Sequence, residues 1–600
     1  MDIRPIKGNT WVLEGMEWIP FYKLDERRCI LLDTGLNDQR EELEEALQRE
    51  GLTPVGVICS HAHIDHMGNV AYLKEKYGTK LAMSLGEAGH QMSYLGLNIT
   101  NYLMSPEDVV ASPPLHGTPC LADRIILPTE DRITFCGAAF DIIHTPGHTV
   151  DHICVGTPDD VLYVGDAMMT GRTLHYAKFP YALSMEVYLD SMVKLREAKA
   201  ACYVVAHKGV YEDIRPFIDL ELQFLRERME ELAGLLELVA AEGADAFYTG
   251  PVARKMVEQI NQRGGCFTLE DLSRYQPKYR TPVKTTYRGL EVAAFAPPSG
   301  GCAGVEMLNI LEHSDLAAMG HNTAASIHAI AEAMKLGFAD RSVALGDPDF
   351  VQVDVERLTS KAHAAERYAL SSPETAGEYA PAEGIEAKEY PGNTSHFAVM
   401  DRFGNAVSQT QTVRDWFGCG IVVDGCGFVL NNAMSDFSAK PGALTSQGLT
   451  YGSANSIQGG KTPLSSMAPS MVFKDGRPYL AIGAAGGPRI ITGTLQGIVN
   501  AVDFGMLPEQ LVRQPYLNCL TREQGLELEF GISEDTIRLL EQKGHRPVRV
   551  PVDQAMSTML NSVMYVDGEY HAAGTQRVDG CGGALLSDGH MVLDGISQED

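Results

Sequence analysis

The stretch "VGVICSHAHIDHMGN", Val55 to Asn69, constrains this chain more than any other: an apolar, strand-like run ends directly in three histidines and an aspartate within six positions. Imidazoles are costly to bury and are rarely crowded, so a cluster at the end of a strand needs something to bind. His61 and His63 are two apart, and in an extended segment such residues face the same side. Asp65 and His66 follow on a tighter turn and face a neighbouring point, which gives two ligand groups close enough for two metal ions. Further ligands are then expected behind other strands. "FDIIHTPGHTVDH" carries His148 after a β-rich run, "VLYVGD" ends on Asp166, and "ACYVVAH" ends on His207. Taken singly, each of these three is an ordinary core, surface or helix-capping residue. Their joint occurrence is what argues for a centre. Carboxylate and imidazole donors suit zinc, and iron or manganese can occupy the same mixed set.

At 600 residues the chain exceeds what one hydrophobic core fills, so two or more domains are expected. A net charge of −29 without basic clusters argues against nucleic acid and against an anionic membrane, and no apolar run is long enough to span a bilayer. The opening "MDIRPIKGNTWVLEG" has no basic segment followed by an apolar one, and the twelve cysteines form no CxxC pair. A reducing, cytoplasmic setting is the expectation. Residues 1–215 alternate short strands with helices, as in "RCILLDTG", "DQREELEEALQREG" and "VGVICS", an α/β pattern. From Pro216 the apolar positions Leu222, Leu225, Met229, Leu232, Leu235 and Val239 follow helical spacing, so 216–241 is predicted to be a helical connector, with the boundary near Glu231. Residues 242–600 carry their own strands, helices and Gly-rich turns and are predicted to form an α+β domain.

"SHAHIDHMGN", "TPGHTVDH", "YVGDAMM" and "VVAHKG" resemble the metallo-β-lactamase superfamily over residues 1 to about 215. The resemblance implies an αβ/βα sandwich in which His61, His63 and His148 bind one metal, Asp65, His66 and His207 a second, and Asp166 bridges them. It also implies hydrolysis by an activated water, with two divalent transition-metal ions, zinc first, as cofactors. The ligands do not discriminate among ester, thioester, lactone, phosphodiester and β-lactam substrates. The acidic chain favours a small ester, thioester or lactone.

The second half contains "YPGNTSHFAVMDRFGNAVSQTQTV", "GFVLNNAMSDFS", "KTPLSSMAPSMV" and "AIGAAGGPRIITG". Thr394 stands between a Gly-Asn turn and a β-rich strand, Ser465 and Ser466 follow a Pro-Leu pair, and Gly486-Gly487 let a ligand approach the backbone. In this order, and with "EGADAFYTGPVA", "GLEVAAFAPPSGG", "EAMKLGFADRSVALGDPDF" and "GTQRVDG", they resemble the γ-glutamyltransferase family of N-terminal nucleophile hydrolases. The resemblance implies an αββα sandwich divided into a large-subunit part, 242–393, and a small-subunit part, 394–600. Self-cleavage between Asn393 and Thr394 frees the threonine amine to activate its own hydroxyl. Thr412 then supports the nucleophile, Asp436 holds the donor's α-amine, Ser465 and Ser466 its carboxylate, and the Gly486 and Gly487 N–H groups form the oxyanion hole. Three departures stand out. The metallo-domain replaces the first part of the large subunit with its carboxylate-clamping arginine, Arg414 stands where relatives often carry asparagine, and Ala433 stands where they often carry glutamate or glutamine.

The expectation is a bifunctional hydrolase acting on small molecules, with glutathione or another γ-glutamyl conjugate linking the two sites. One alternative is a metal-dependent hydrolase whose second module serves only for packing. Another is an enzyme that degrades β-lactams or acyl amides. A second copy or a partner chain is expected to cover the sheet edges that the shortened module leaves open.

Overall fold

The computed structural model describes residues 1–92, 97, 117–171, 173–174, 182–207, 209–380, 393–415, 417–438, 440, 452–550, 558–575, 581–585 and 591–593. They divide into two compact units, Met1–Ser273 with Val422–Phe428, and Arg274–Ile421 with Val429–Asp600.

In the first unit, strands Asp2–Lys7, Thr10–Glu14, Trp18–Lys23, Arg28–Leu32, Thr53–Ile58, Lys80–Ser84 and Arg124–Ile126 lie in that order in one sheet. The second sheet runs Gly209–Tyr211, Cys202–Val205, Val161–Tyr163, Ile153–Gly156, Ala138–His144, Arg132–Phe135. Strand residues that alternate in the chain feed different cores, as the pleat requires. Leu31 and Val57 join Leu43, Leu47 and Leu73 of helices Arg40–Arg49 and Val70–Tyr77 on one outer face. Ile30, Leu32 and Ile58 join Phe140, Val155, Tyr163 and Val204 between the sheets. Cys154, Leu162 and Val205 join Tyr188, Met192 and Ile218 of helices Met185–Arg196 and Arg215–Glu242 on the far side. Helix, sheet, sheet and helix therefore stack as an αβ/βα sandwich.

The helix Arg215–Glu242 begins with Pro216 in its first turn, where the missing N–H costs nothing. Its first half buries Ile218, Glu221 and Leu225, while Met229, Leu232 and Leu236 remain exposed. Compactness divides the chain later than the sequence pattern does, at Ser273 and not at 241. Helices Ala244–Tyr248 and Pro251–Gln262 continue from the long helix, and Lys255 Nζ and Gln259 bond the Gly425 and Asp424 carbonyls of Val422–Phe428.

The second unit is built on a six-stranded antiparallel sheet ordered Val283–Tyr287, Leu290–Ala294, Ser470–Lys474, Arg477–Ala485, Met559–Val566, Glu569–Gly574. Leu480, Ile482 and Ala484 point from its central strand into a core shared with helices Gly301–Leu311, Ala324–Ala344 and Arg489–Asp503. The opposite face receives a two-stranded sheet, Asn393–Met400 paired with Ala406–Arg414. There the His396 ring lies over Gly483, so close that a β-carbon on Gly483 would stand 2.4 Å from it. The Asn561 amide donates to the His396 carbonyl at 2.6 Å, and Ser408 Oγ to that of Ile482 at 3.0 Å. Helices, the six-stranded sheet and the two-stranded sheet thus form three successive layers among the described residues.

Candidate active sites

Local structure explains the first cluster. The strand Thr53–Ile58 ends, His61 and His63 leave in extended backbone, and the short helix Ile64–Met67 starts with His63 as its cap, turning Asp65 and His66 towards the same region. His148 follows strand Ala138–His144, Asp166 follows Val161–Tyr163, and His207 follows Cys202–Val205. Donor atoms of His61, His63, His148 and Asp166 all lie within 4.8 Å of one another, and so do those of Asp65, His66, Asp166 and His207. Asp166 belongs to both groups.

The contacts within each group identify the converging atoms. His61 Nε2 and His148 Nε2 approach His63 Nδ1 at 2.9 and 3.1 Å, while His61 Nδ1 turns to Ser60 Oγ at 3.0 Å. Asp166 Oδ2 stands 3.2 Å from His207 Nε2, 3.5 Å from His66 Nε2 and 3.5 Å from His148 Nε2. So many imidazole nitrogens and a carboxylate oxygen converging within 2.9 to 3.5 Å suit donors arranged around a shared centre. Asp166 Oδ1 is buried and makes no hydrogen bond with a described residue. Imidazole and carboxylate donors in two overlapping groups of four fit a pair of divalent transition-metal ions. His207, its side chain 34% exposed, is where the site meets solvent.

Electrostatics divide the two groups. Burial, with the neighbouring imidazoles, holds His61 and His63 well below the usual histidine pKa, so both are neutral and able to ligate. Burial also opposes charge on His66, but the Asp166 and Asp65 carboxylates outweigh it and raise its pKa well above the ordinary value. The Asp166 carboxylate likewise lifts His207 to about 9.

A shell of residues that sequence reasoning missed fixes these ligands. The buried Asp33 carboxylate accepts from Ser60 N and Oγ at 2.6 Å each, from the Tyr163 hydroxyl at 2.6 Å and from His66 Nδ1 at 2.7 Å. That last bond leaves His66 Nε2 as the atom facing Asp65 and Asp166. His152 Nε2 accepts from the Asp166 backbone N–H at 3.1 Å, with Thr145 Oγ1 on its other ring nitrogen. Glu87 joins two ligand segments by accepting from Ala62 N at 2.8 Å and Asp151 N at 3.0 Å. His152, Ser60 and Tyr163 stand inside the "TPGHTVDH", "SHAHIDHMGN" and "YVGDAMM" motifs and were within reach of sequence reading, whereas Asp33 and Glu87 occupy positions with no pattern to mark them.

In the second unit, Thr394 and Thr412 pair across the two-stranded sheet and their hydroxyls lie 3.2 Å apart. The ladder slips by one residue between Asn393 and Thr394, because Asn393 pairs with Arg414 and Thr394 with Thr412. The Arg414 backbone N–H donates to Thr412 Oγ1 at 2.8 Å, and the residue sits at φ 75°, a region that most side chains avoid. Its buried guanidinium bonds Asp436 Oδ1 at 3.0 Å and Asp415 Oδ2 at 2.6 Å. Burial raises the Asp436 pKa above the usual carboxylate value, with Arg414 pulling against it. Arg341 braces the consecutive Ser465 and Ser466, bonding the Ser465 carbonyl at 3.3 Å and Ser466 Oγ at 3.2 Å. Arg341 lies in the quoted "GFADRS" segment but was not singled out. Strand Arg477–Ala485 runs directly into Gly486 and Gly487, whose positive φ of 118° and 60° a side chain would strain. Ala433 opens the short helical turn that ends at Asp436.

The family described as Gamma-glutamyltranspeptidase matches residues 224–584. The chain belongs to that family. Residues 4–207 match a second family, the Metallo-beta-lactamase superfamily, so the N-terminal domain is of that type. The chain is 41% identical over 350 residues to the glutathione hydrolase proenzyme of Escherichia coli (strain K12), covering 58% of this chain and 60% of that protein. It is 38% identical over 358 residues to the acylase ACY 1 proenzyme of Pseudomonas sp. (strain V22), covering 59% and 61%. Among solved structures, the cephalosporin acylase from Bacillus halodurans superposes with a TM-score of 0.52 at 26% identity, over 58% of this chain and 61% of that one. The chain thus spans about 60% of the length of the curated relatives it matches.

Proposed function

We propose that the chain is a two-site hydrolase, with a dinuclear metal site in the first domain and a self-generated N-terminal threonine in the second. Seven side chains from four segments, arranged in two donor groups that share Asp166, support the first site. Divalent ions held there by His61, His63, His148, Asp65, His66, His207 and Asp166 would supply Lewis-acid polarisation of a carbonyl and an activated water, which would suit a small ester, thioester or lactone. The neutral His61 and His63 and the anionic Asp166 are ready to ligate without prior proton loss.

The second site is read as an amide hydrolase acting on γ-glutamyl or related acyl amides. The Thr394 hydroxyl attacks the Asn393 carbonyl, the peptide nitrogen leaves as the new α-amine, and water releases Asn393 as a carboxylate. The irregular pairing at that bond and the Thr394–Thr412 contact support this reading. Mass spectrometry of the full-length chain tests it: two fragments with Thr394 as a new N-terminus are expected, and Thr394→Ala abolishes them. A chain that stays intact through prolonged incubation refutes the second site. For the first, metal analysis is expected to find two transition-metal ions per chain and a marked loss in His63→Ala. A chain that stays metal-free after reconstitution refutes that site.

A further inference from the structure

The charged side chains around Thr394 are committed in a way that selects the acyl group. Going outward from the nucleophile, Thr394 meets Thr412, Thr412 Oγ1 accepts from the Arg414 backbone, and the Arg414 guanidinium lies against Asp436. Asp436 is the carboxylate that an ammonium group arriving beside Thr394 would need as a counter-ion. It is already paired with a guanidinium that is 4% exposed and that also bonds Asp415. An incoming ammonium would have to displace Arg414 or stand beside a second buried cation, and an unpaired buried charge is strongly disfavoured. Ala433, at the start of the same turn, offers no polar atom on its side chain to take the place of Asp436.

Asn455 ties the Asp436 carbonyl, at 2.8 Å, to the Leu464 N–H, at 2.9 Å, and the residues that follow Leu464 have the opposite character. Ser466 Oγ accepts from Arg341 at 3.2 Å, and Ser465 Oγ accepts from Met467 N at 3.2 Å. With an acceptor role filled on each oxygen, both hydroxyls have a proton to donate, and Arg341, almost wholly buried, stands behind them. Two hydroxyl donors backed by a guanidinium suit a carboxylate.

From this arrangement we infer that the Thr394 site accepts acyl amides whose acyl group ends in a carboxylate and carries no α-ammonium group, the glutaryl type, in preference to γ-glutamyl amides. The inference rests on the reading of Thr394 as a nucleophile. The Thr394 oxygen bonds the acyl carbon, the C–N bond breaks, and the amine leaves with the proton from that hydroxyl. Water then cleaves the ester to give the free dicarboxylic acid and restores the hydroxyl. Arg414 acts here as a specificity-determining residue, by occupying Asp436.

The test compares glutaryl p-nitroanilide with L-γ-glutamyl p-nitroanilide on the full chain, together with thermal shifts produced by glutarate and by L-glutamate. The processed enzyme is expected to favour the glutaryl anilide by roughly ten-fold or more in kcat/KM, the scale set by one mispaired buried group. Arg414→Asn, which frees Asp436, should move the ratio towards the γ-glutamyl anilide by a similar factor. Equal rates, a γ-glutamyl preference, or a ratio unmoved in Arg414→Asn overturns the inference. If Thr394 never becomes an N-terminus and neither anilide is cleaved, the nucleophile reading has failed and ligand binding decides specificity alone. Glutarate should then stabilise the chain more than L-glutamate does. Equal stabilisation, or none by either, overturns the inference. Should Arg414→Asn not fold, Asp436→Asn serves instead: glutarate stabilisation retained supports the inference, and its loss overturns it.

Discussion

Removing the Asp33 carboxylate should loosen the second metal position without touching a ligand. Asp33 is 1% exposed and accepts four hydrogen bonds, three of them on Oδ2, from Ser60 Oγ, Tyr163 and His66. In Asp33→Ala those donors lose a buried anion together, and breaking a buried ionic network from one side costs about 3 to 5 kcal/mol of stability. In Asp33→Asn the side chain still fits the positive φ of 66°, but its NH2 must face either Ser60 N–H or His66 Nδ1–H, both donors already. Misplacing the His66 ring in this way should weaken metal binding at the Asp65, His66 and His207 group by roughly ten- to a hundred-fold, or about 1.4 to 2.7 kcal/mol. The group of His61, His63 and His148 should change less. The assay is a competition titration of zinc between the dialysed chain and a chromophoric chelator, paired with thermal melts of the metal-free protein. If both sites of Asp33→Asn titrate within about two-fold of wild type, Asp33 does not position His66 and the reasoning is wrong.

Glu221 should make stability fall with rising pH. It is buried, accepts from Met169 N and the Tyr188 hydroxyl, and burial pushes its pKa from 4.5 up to about 7. Because the folded value lies above the unfolded one, its contribution is unimpaired below about pH 4.5 and worsens towards pH 7, by about 3 kcal/mol in all. Melts at pH 5 and pH 8 should show a smaller drop in Glu221→Gln than in wild type, and an equal drop would dismiss this role. Gly483→Ala should act on the second site from a distance in sequence, since its new β-carbon would displace the His396 ring two residues after Thr394. A stability loss of about 1 to 3 kcal/mol with slower appearance of the Thr394 N-terminus is expected, read by melts and mass spectrometry; unaltered processing would show that His396 does not position the nucleophile strand.

The parts of this molecule legible in its sequence are those whose chemistry repeats at short spacing. "HAHIDH" announces itself because four ligand residues crowd behind one strand, and the strand ends at His148, Asp166 and His207 follow from that first cluster. Asp33 and Glu87 matter equally to the geometry, yet each is one acidic residue among 78, and only the folded chain brings them to Ser60 and Ala62. Helix periodicity found the long segment after Pro216 but could not say where its unit ends. That depends on Val422–Phe428, far along the chain, returning to the helix at 251–262. Arg414 was visible as an unusual residue at its position. Its bond to Asp436, which gives it meaning, comes from the turn at 433–436 and from a backbone conformation no motif encodes.

Glu87 ties the His61–His63 segment to the His148–Asp151 segment through two backbone N–H groups, using no atom that a metal ion must supply. Folding alone therefore supplies part of what holds the cradle together. A cradle of this kind exerts little choice over its guest, because the ion need not reward any rearrangement of the protein, and mixed imidazole and carboxylate donors accept several ions of similar size. Which element a metal-loaded chain would carry then depends on the ions available to it. Two preparations of the same polypeptide, grown with different trace metals, would be nearly superimposable proteins and different catalysts.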